Sequence, residues 1–387
     1  MLRPRLLLLF GLGLGLLVLA AALPTFVING KTVKVDTLEK GGKYYVEVQG
    51  FAKALGVSVT YDKAKNQFVI VSVGQAAQTQ VAGTTQLAGG EGEFGKTYTL
   101  GQSSPLNFTL RSAEYTVSQV TVGTSVYAPE ANEKLLILHY TVQNPNQQDK
   151  NVNWNSFKFT VVDAKDFNHV FDSFVAREGT TEVYDVNLKP AQKVDLVAAW
   201  AVPASGAMPK LIVERERGAP VLRYDLRGKV KPLPAPFADP ADPSGATALE
   251  EVPAKAGTYY PMLKFDMRLE SVSYNTEPMD KRPPAEGKRY LVATFAIKNA
   301  CAPTAREANY SYSNFKFELK DTDGEKQEFD GYLIKAARDE HAEGKLKSGE
   351  EYKFRIYFEL PQEVKGQTLY AAEGKSRVYA FDLSQFQ

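Results

Sequence analysis

One cysteine, Cys301, occurs among 387 residues, so no intrachain disulfide is possible and the cores must hold by packing alone. Histidine is scarce too. Only His139, His169 and His341 are present, and none shows metal-ligand spacing such as His-Glu-x-x-His. Charge of neither sign is in excess: 46 Lys and Arg stand against 45 Asp and Glu, a formal net charge of +1. That balance argues against nucleic acid as a partner, because such binding rests on clustered Lys and Arg neutralising phosphates. The chain also lacks a Gly-x-Ser-x-Gly elbow, a phosphate loop and a dinucleotide fingerprint. No catalytic, cofactor-binding or metal-ligating residue is therefore assigned, and the chain is read as not an enzyme. Beyond the first residues, no stretch is long and apolar enough to cross a membrane. Hydrophobic residues still make up 44% of the chain, which is enough for ordinary globular cores.

The N-terminus has its own composition. Arg3 and Arg5 precede an apolar run, Leu6 to Leu19, broken only by glycines, and Ala20-Ala21-Ala22 supplies the small residues that a signal peptidase requires. Residues 1–22 are thus expected to be a cleaved signal peptide. The rival reading is a retained anchor, since Leu6 to Leu23 is just long enough to span a bilayer. Either way the protein is exported, to the cell envelope or beyond it, and membrane contact is confined to this segment.

Further along, the chain says the same thing twice. Leu106, Phe108 and Leu110 alternate as Leu263, Phe265 and Met267 do, at an offset of 157 (265 − 108). Phe157-Lys158-Phe159 returns as Phe315-Lys316-Phe317, Phe171-Asp172 as Phe329-Asp330, Leu188-Lys189 as Leu346-Lys347, and Asp225-Leu226 as Asp382-Leu383. A near-constant offset over such a span implies two copies of one domain. Period-two alternation in Leu136, Leu138, Tyr140 and Val142, and again in Leu291, Ala293, Phe295 and Ile297, predicts strands with one buried face. Val194, Leu196 and Ala198 match Tyr352, Phe354 and Ile356, each set closed by a proline, Pro203 or Pro361. Short strands separated by turn clusters predict a two-sheet sandwich for each copy.

A smaller unit lies upstream. Phe26-Val27-Ile28, Asn29-Gly30 and Val33 predict a hairpin, and Gly41-Gly42 turns the chain before Tyr44-Tyr45-Val46. A short helix is expected with Phe51, Ala52 and Leu55 on one face and Gly56 as its stop. Val57, Val59 and Tyr61 then alternate, and Phe68 to Val71 returns after a turn. Through Gly42-Lys43-Tyr44-Tyr45-Val46, Phe51-Ala52-Lys53-Ala54-Leu55-Gly56 and Val59-Thr60-Tyr61-Asp62, this unit resembles the copper amine oxidase N-terminal-like (stalk) domain of exported bacterial proteins. The resemblance implies an antiparallel sheet wrapped on one helix. It does not bring the oxidase's copper or modified tyrosine, which belong to a separate catalytic domain. The duplicated region is similar to bacterial extracellular telokin-like, immunoglobulin-like domains of unknown function. The likeness rests on strands ending at Asn144 or Asn299, on the segments Phe157 to Asp163 or Phe315 to Asp321, and on late strands closed by Pro203 or Pro361. That family carries no accepted catalytic residues.

The expected fold is mainly β: a small α+β N-terminal domain, then two immunoglobulin-like β-sandwiches in tandem. The expected divisions are the signal peptide (1–22), the stalk-like domain (25–73), a flexible linker (74–104), the first sandwich (105–227), a Pro-rich linker (228–257) and the second sandwich (258–387). Pro232, Pro234, Pro236, Pro240 and Pro243 favour an extended, stiffer second linker, and both linkers are read as spacers between strung-out modules.

Several residues invite a chemical reading. Asp321-Thr322-Asp323-Gly324-Glu325 begins like a calcium loop, but Tyr332 stands where the bidentate Glu belongs, and Asp-Gly is also a hairpin turn, which is the reading adopted. Cys301, in Asn299-Ala300-Cys301-Ala302-Pro303, has no His or basic group beside it and is read as passive. Asp172, Asp330, Asp225 and Asp382 are read as bonding local backbone at turns. Tyr259-Tyr260, Tyr310, Tyr312, Phe315 and Phe317 crowd the second copy. Packing in the core is the preferred reading, with an exposed face that stacks on sugars or grips a protein as the other. The function expected is non-catalytic display, adhesion or scaffolding in the bacterial envelope or extracellular space, through a protein or cell-wall partner. The alternative is a soluble glycan- or small-ligand-binding protein using Tyr310, Tyr312 and their neighbours.

Overall fold

The computed structural model describes residues 89–171 and 175–386 continuously, and upstream the segments 26–28, 31–33, 37–41, 43–48, 51–52, 57–62 and 67–72. The signal-peptide expectation lies outside the described residues. The chain divides into two units, Met1–Thr85 and Gln86–Gln387.

In the first unit, three two-stranded antiparallel ladders form where turn residues separate apolar runs. Phe26–Ile28 pairs with Lys31–Val33, Thr37–Lys40 with Lys43–Val46, and Val57–Asp62 with Gln67–Ser72. The helix expected at Phe51 to Leu55 falls mostly outside the described residues. The Phe51 amide donates to the Glu47 carbonyl at 3.1 Å, a four-residue separation.

The second unit holds two β-sandwiches. In the first, one sheet runs Ala176–Arg177, Lys193–Pro203, Glu133–Gln143, Leu106–Thr116 and Val230–Lys231, with Tyr98–Leu100 also paired to Leu106–Thr116. Its partner runs Asn168–Val170, Lys158–Val162, Lys210–Glu214, Val221–Asp225 and Gly89–Gly92. In the second sandwich, one sheet runs Tyr260–Pro261, Phe265–Asn275, Lys288–Asn299, Glu351–Pro361 and Ile334–Lys335. The other runs Glu251–Ala254, Val378–Asp382, Gly366–Glu373, Phe315–Asp321 and Lys326–Glu328. The two orders correspond strand for strand, with Tyr98–Leu100 answering to Tyr260–Pro261, except that Val230–Lys231 has no counterpart among the described residues of the second sandwich. Each central ladder even shifts register near the same point, at His139/Tyr140 and at Leu269/Ser271.

Alternation produces the cores. Leu106, Phe108 and Leu110 point inward with Leu136, Leu138 and Val142, all fully buried, against Phe159, Val161, Leu211 and Val213 of the facing sheet. Phe265, Met267, Leu269, Phe295 and Phe354 do the same in the second sandwich, against Phe317, Leu369 and Phe381. Each such side chain contributes about 1.5–3 kcal/mol, which suffices without a disulfide.

The described parts of both segments expected as spacers are built into the sandwiches. Gly89–Gly92 pairs in parallel with Val221–Asp225, and Val230–Lys231 pairs in parallel with Leu106–Thr116. Glu251–Ala254 pairs in parallel with Val378–Asp382. Between these ends, Leu233, Ala246 and Ala248 are buried in the first core, and Phe237 packs against both cores. The Asp242 carboxylate organises the loop. One oxygen accepts from the Ser244 amide and hydroxyl, the other from the Thr247 amide at 2.8 Å and hydroxyl at 2.7 Å. Burial pushes this carboxyl up, but the four bonds outweigh it and hold it well below the usual carboxylate range. Its short parallel strands give the segment a partner in each sandwich.

Candidate functional site

The three histidines sit apart, each beside its own carboxylate. His139 lies between Glu178 (2.8 Å) and Glu114 (3.3 Å), with Arg111 also on Glu178. His169 Nε2 is 3.0 Å from Asp163 Oδ2, and His341 Nε2 is 2.8 Å from Asp280 Oδ1. Among the described residues, no three His, Cys, Asp or Glu side chains form a metal-holding group. Cys301 is buried, and its thiol donates toward Gln119 Oε1 at 3.5 Å and the Lys264 carbonyl at 3.7 Å. Burial pushes the thiol pKa up, which suits an inert residue.

The calcium-like run folds as a turn. Asp321 Oδ1 accepts the amides of Asp323 (3.0 Å) and Glu325 (2.9 Å). Asp163 does the same for Lys165 (2.8 Å) and Phe167 (3.0 Å). The left-handed position is filled by Gly324 (φ 88°) in one turn and Asp166 (φ 63°) in the other, so both loops have one geometry despite different residues. Asp225 and Asp382 accept the amides of Arg227 (3.1 Å) and Ser384 (2.9 Å), as strand-end residues should. Asp172 lies outside the described residues.

The crowded aromatics separate into two groups. Tyr260, Tyr310, Phe315 and Phe317 are buried, with the Tyr310 ring tilted at 32° against that of Tyr352, 4.8 Å between ring centres. Tyr259 is half-buried, its hydroxyl donating to Glu351 Oε2 at 2.5 Å and Arg268 lying 4.4 Å over its ring. Tyr312 alone among them is widely exposed, at 50%. The strand Ala308–Tyr310 ends just before it, and a 3-10 turn, Tyr312–Asn314, throws its side chain outward.

That turn brings Tyr312 against residues that nothing in the sequence grouped with it. Its ring centre is 4.9 Å from that of Tyr332 at 69°, and the His341 ring stacks on Tyr332 at 4.1 Å and 18°. Asp280, which meets His341, begins a loop in which Asp280 (φ 50°) and Lys281 (φ 61°) both adopt left-handed backbone. The Asp339 carboxylate holds this strained pair by accepting both of their amides at 2.8 Å. The result is a corner of exposed rings with a polar rim.

Residues matching this turn exist in the first sandwich. The Asn153 amide donates to Ser156 Oγ at 2.9 Å, as the Ser311 amide donates to Asn314 Oδ1 at 2.7 Å. Trp154, 39% exposed, occupies the place of Tyr312, and Val152 that of Tyr310. The two turns therefore match in position and in this bond, while only the second forms a 3-10 turn.

Polar side chains elsewhere serve the ends of the sandwiches. Lys134, fully buried, donates to the carbonyls of Ala204 (2.9 Å) and Gly206 (2.6 Å) and lies 4.7 Å over the Tyr115 ring. Arg289 lies 4.1 Å over Tyr274 and donates to the Val364 carbonyl at 3.0 Å. At the opposite ends, Glu216 accepts the amides of Gln102, Ser103 and Ser104, and Glu373 those of Leu263, Lys264 and Phe265.

The two sandwiches meet between these ends. Arg377 donates to the carbonyls of Glu130 and Glu133, the Ala131 amide donates to the Lys375 carbonyl at 2.9 Å, and the Ala302 amide to Thr121 Oγ1 at 3.1 Å. On the outer face of one sheet, a concavity of about 540 Å³ is lined by residues that include Lys316, Glu318, Lys326 and Tyr370, with Lys326 paired to Glu318 at 2.6 Å. Its lining also includes Glu251, Glu328, Phe329 and Ser376, whose hydroxyl donates to the Arg377 carbonyl at 3.0 Å.

Residues 264–376 match the family model of a domain of unknown function, DUF4352. No curated protein matches the chain. Among solved structures, an uncharacterized β-sandwich protein of Clostridium difficile is similar at 13% identity, over 34% of this chain and 95% of that one, with a TM-score of 0.27. The yjhA protein of Bacillus subtilis is similar at 17% identity, over 33% of this chain and 97% of that one, with a TM-score of 0.24.

Proposed function

We propose that this is an exported, non-catalytic protein of the bacterial cell envelope or extracellular space, acting in display, adhesion or scaffolding through protein or cell-wall contacts. In this reading residues 1–22 are a signal peptide, the N-terminal unit is a copper amine oxidase N-terminal-like stalk, and the sandwiches are tandem copies of one telokin-like, immunoglobulin-like domain. What carries the reading is the use of the polar side chains. Matched Asp, Glu, Lys and Arg groups hold turns and strand ends, and Arg377 holds the contact between sandwiches, which is the work of a scaffold. Mass spectrometry of the mature N-terminus should find cleavage near Ala22. The mature protein should be retained on purified cell wall or on envelope extract, and absence of retention on both counts against the proposal.

A further inference from the structure

We propose that the corner formed by Tyr312, Tyr332, His341 and Asp280 binds a neutral saccharide, and that Trp154 offers a second contact to the same polymer on the first sandwich. The proposal rests on the non-catalytic contact reading and names its chemistry. A pyranose has an apolar face of C–H groups and an edge of hydroxyls, so it needs a ring to lie on and polar atoms at the ring's rim. Tyr312 and Tyr332 are 50% and 46% exposed and meet at 69°, forming two walls of a corner. The stack of His341 on Tyr332 and the bond between His341 and Asp280 fix the second wall. At the rim stand the Asp280 carboxylate, both phenol hydroxyls and the exposed Ser313, whose hydroxyl lies 2.9 Å from that of Ser311.

Two observations favour a sugar over a protein surface, and a neutral sugar over a charged one. The rings lie beside charged groups, since His341, stacked on Tyr332, is bonded to Asp280 and the Asp339 carboxylate holds the amides of Asp280 and Lys281, whereas the centre of a protein–protein contact is depleted of charge. Those charges are also balanced: Lys281, Lys335 and Arg338 stand against Asp280, Asp339 and Glu340, and Lys335 and Arg338 face Glu340 at 2.6 and 3.6 Å. No net sign remains to select an anionic polymer. The strain in Asp280 and Lys281, held by Asp339, keeps this rim in place before any ligand arrives. Finally, the same turn presents Trp154 on the first sandwich, and two like contacts on one body suit a ligand that repeats.

The mature chain is titrated by calorimetry and NMR with hexasaccharides of β-1,4-linked N-acetylglucosamine, β-1,4-linked glucose and α-1,4-linked glucose. Millimolar binding to at least one is expected. Tyr312→Ala and Tyr332→Ala should each weaken it roughly tenfold with thermal unfolding nearly unchanged, while Tyr312→Phe, which keeps the ring, restores it. Trp154→Ala should leave hexasaccharide affinity intact and reduce retention on the insoluble polymer of that sugar. No binding to any of the three, or binding indifferent to Tyr312→Ala and Tyr332→Ala, overturns the site. Unchanged polymer retention by Trp154→Ala overturns the second contact. Retention on cell wall or envelope extract that survives both tyrosine variants overturns the saccharide site but leaves the scaffold reading standing. Loss of every interaction, in the wild type, overturns both.

Discussion

Lys134 and Arg289 occupy the same register in their sandwiches, one residue inside the pairs Glu133/Pro203 and Lys288/Pro361. Each places a cation over a tyrosine, Tyr115 or Tyr274, whose hydroxyl accepts a backbone amide, from Met208 at 2.8 Å or Gly366 at 2.9 Å. Lys134 is fully buried, because the Asp242 loop and Arg377 of the second sandwich close over it, and burial lowers its pKa to about 8. Arg289 keeps part of its surface in water. The carboxylates at the other ends show the converse. Glu216 remains partly exposed, and its three amides hold it at about 2. Glu373, flanked by Lys264 and by Lys375 and Arg377 at the contact, is 3% exposed, and burial pushes its carboxyl up against the pull of three amides. One set of hydrogen bonds thus gives opposite electrostatics. What differs is which end the neighbouring sandwich covers.

The largest test of this comparison removes the carboxylates. Glu373→Ala leaves three amides in the covered end without their acceptor, an expected loss of about 4 kcal/mol in urea unfolding. Glu216→Ala should lose distinctly less, because water replaces the carboxylate there. Equal losses would mean that the junction does not set the difference. Titration sharpens the contrast. Glu216 has a folded pKa below its ordinary 4.5, so its contribution is complete above pH 4.5 and is lost as pH falls toward 2. Glu373 is raised, so the folded state holds its proton more tightly and its contribution grows as pH falls through the folded pKa. Glu216→Gln should flatten the acid loss of stability, and Glu373→Gln should steepen it.

Next in size is Lys134. Its ammonium is disfavoured in the folded state, where the pKa falls from 10.5 to about 8, so the unfolded chain binds the proton more tightly between those values. Stability should therefore rise by roughly 3 kcal/mol as pH climbs from 8 to 10.5. Tyr115, pushed by burial up to about 12, stays neutral over that window. Lys134→Met should abolish the alkaline rise, measured by unfolding midpoint against pH. Arg289→Met should leave it in place.

The sandwich bodies were legible because period-two alternation is a local signal: Leu106, Phe108 and Leu110 announce a buried face, and all three are at 0% exposure. Turn chemistry was legible for the same reason at Asp225, Asp321 and Asp382. The junction was not. Arg377 acts through carbonyls more than 240 residues away in sequence, 377 − 133 = 244, and the parallel strand Glu251–Ala254 finds its partner at Val378–Asp382, so neither leaves a local trace. The grouping of Tyr310 with Tyr312 failed on one detail. Two-residue spacing puts side chains on one face only while the strand continues, and it stops at Tyr310. Tyr332, His341 and Asp280 come from three separate loops. The one hint was Tyr332 itself, an aromatic at the place where a calcium loop needs its Glu.

The smallest effect tests whether the turns at Asp163 and Asp321 are the same device. Both need left-handed backbone three residues after the aspartate, and a Cβ built at Gly324 meets nothing within 4 Å, so any cost of adding one there is conformational. Gly324→Ala should lower stability by about 1 kcal/mol, since alanine gains nothing in return for that backbone. Gly324→Asp should cost less than half as much, because the first sandwich already carries Asp166 there, and a short polar side chain tolerates this region by bonding locally. Urea midpoints of the two variants separate the cases. If Ala and Asp destabilise equally, Asp166 is held by something particular to the first turn, and the equivalence of the two loops ends at their hydrogen bonds.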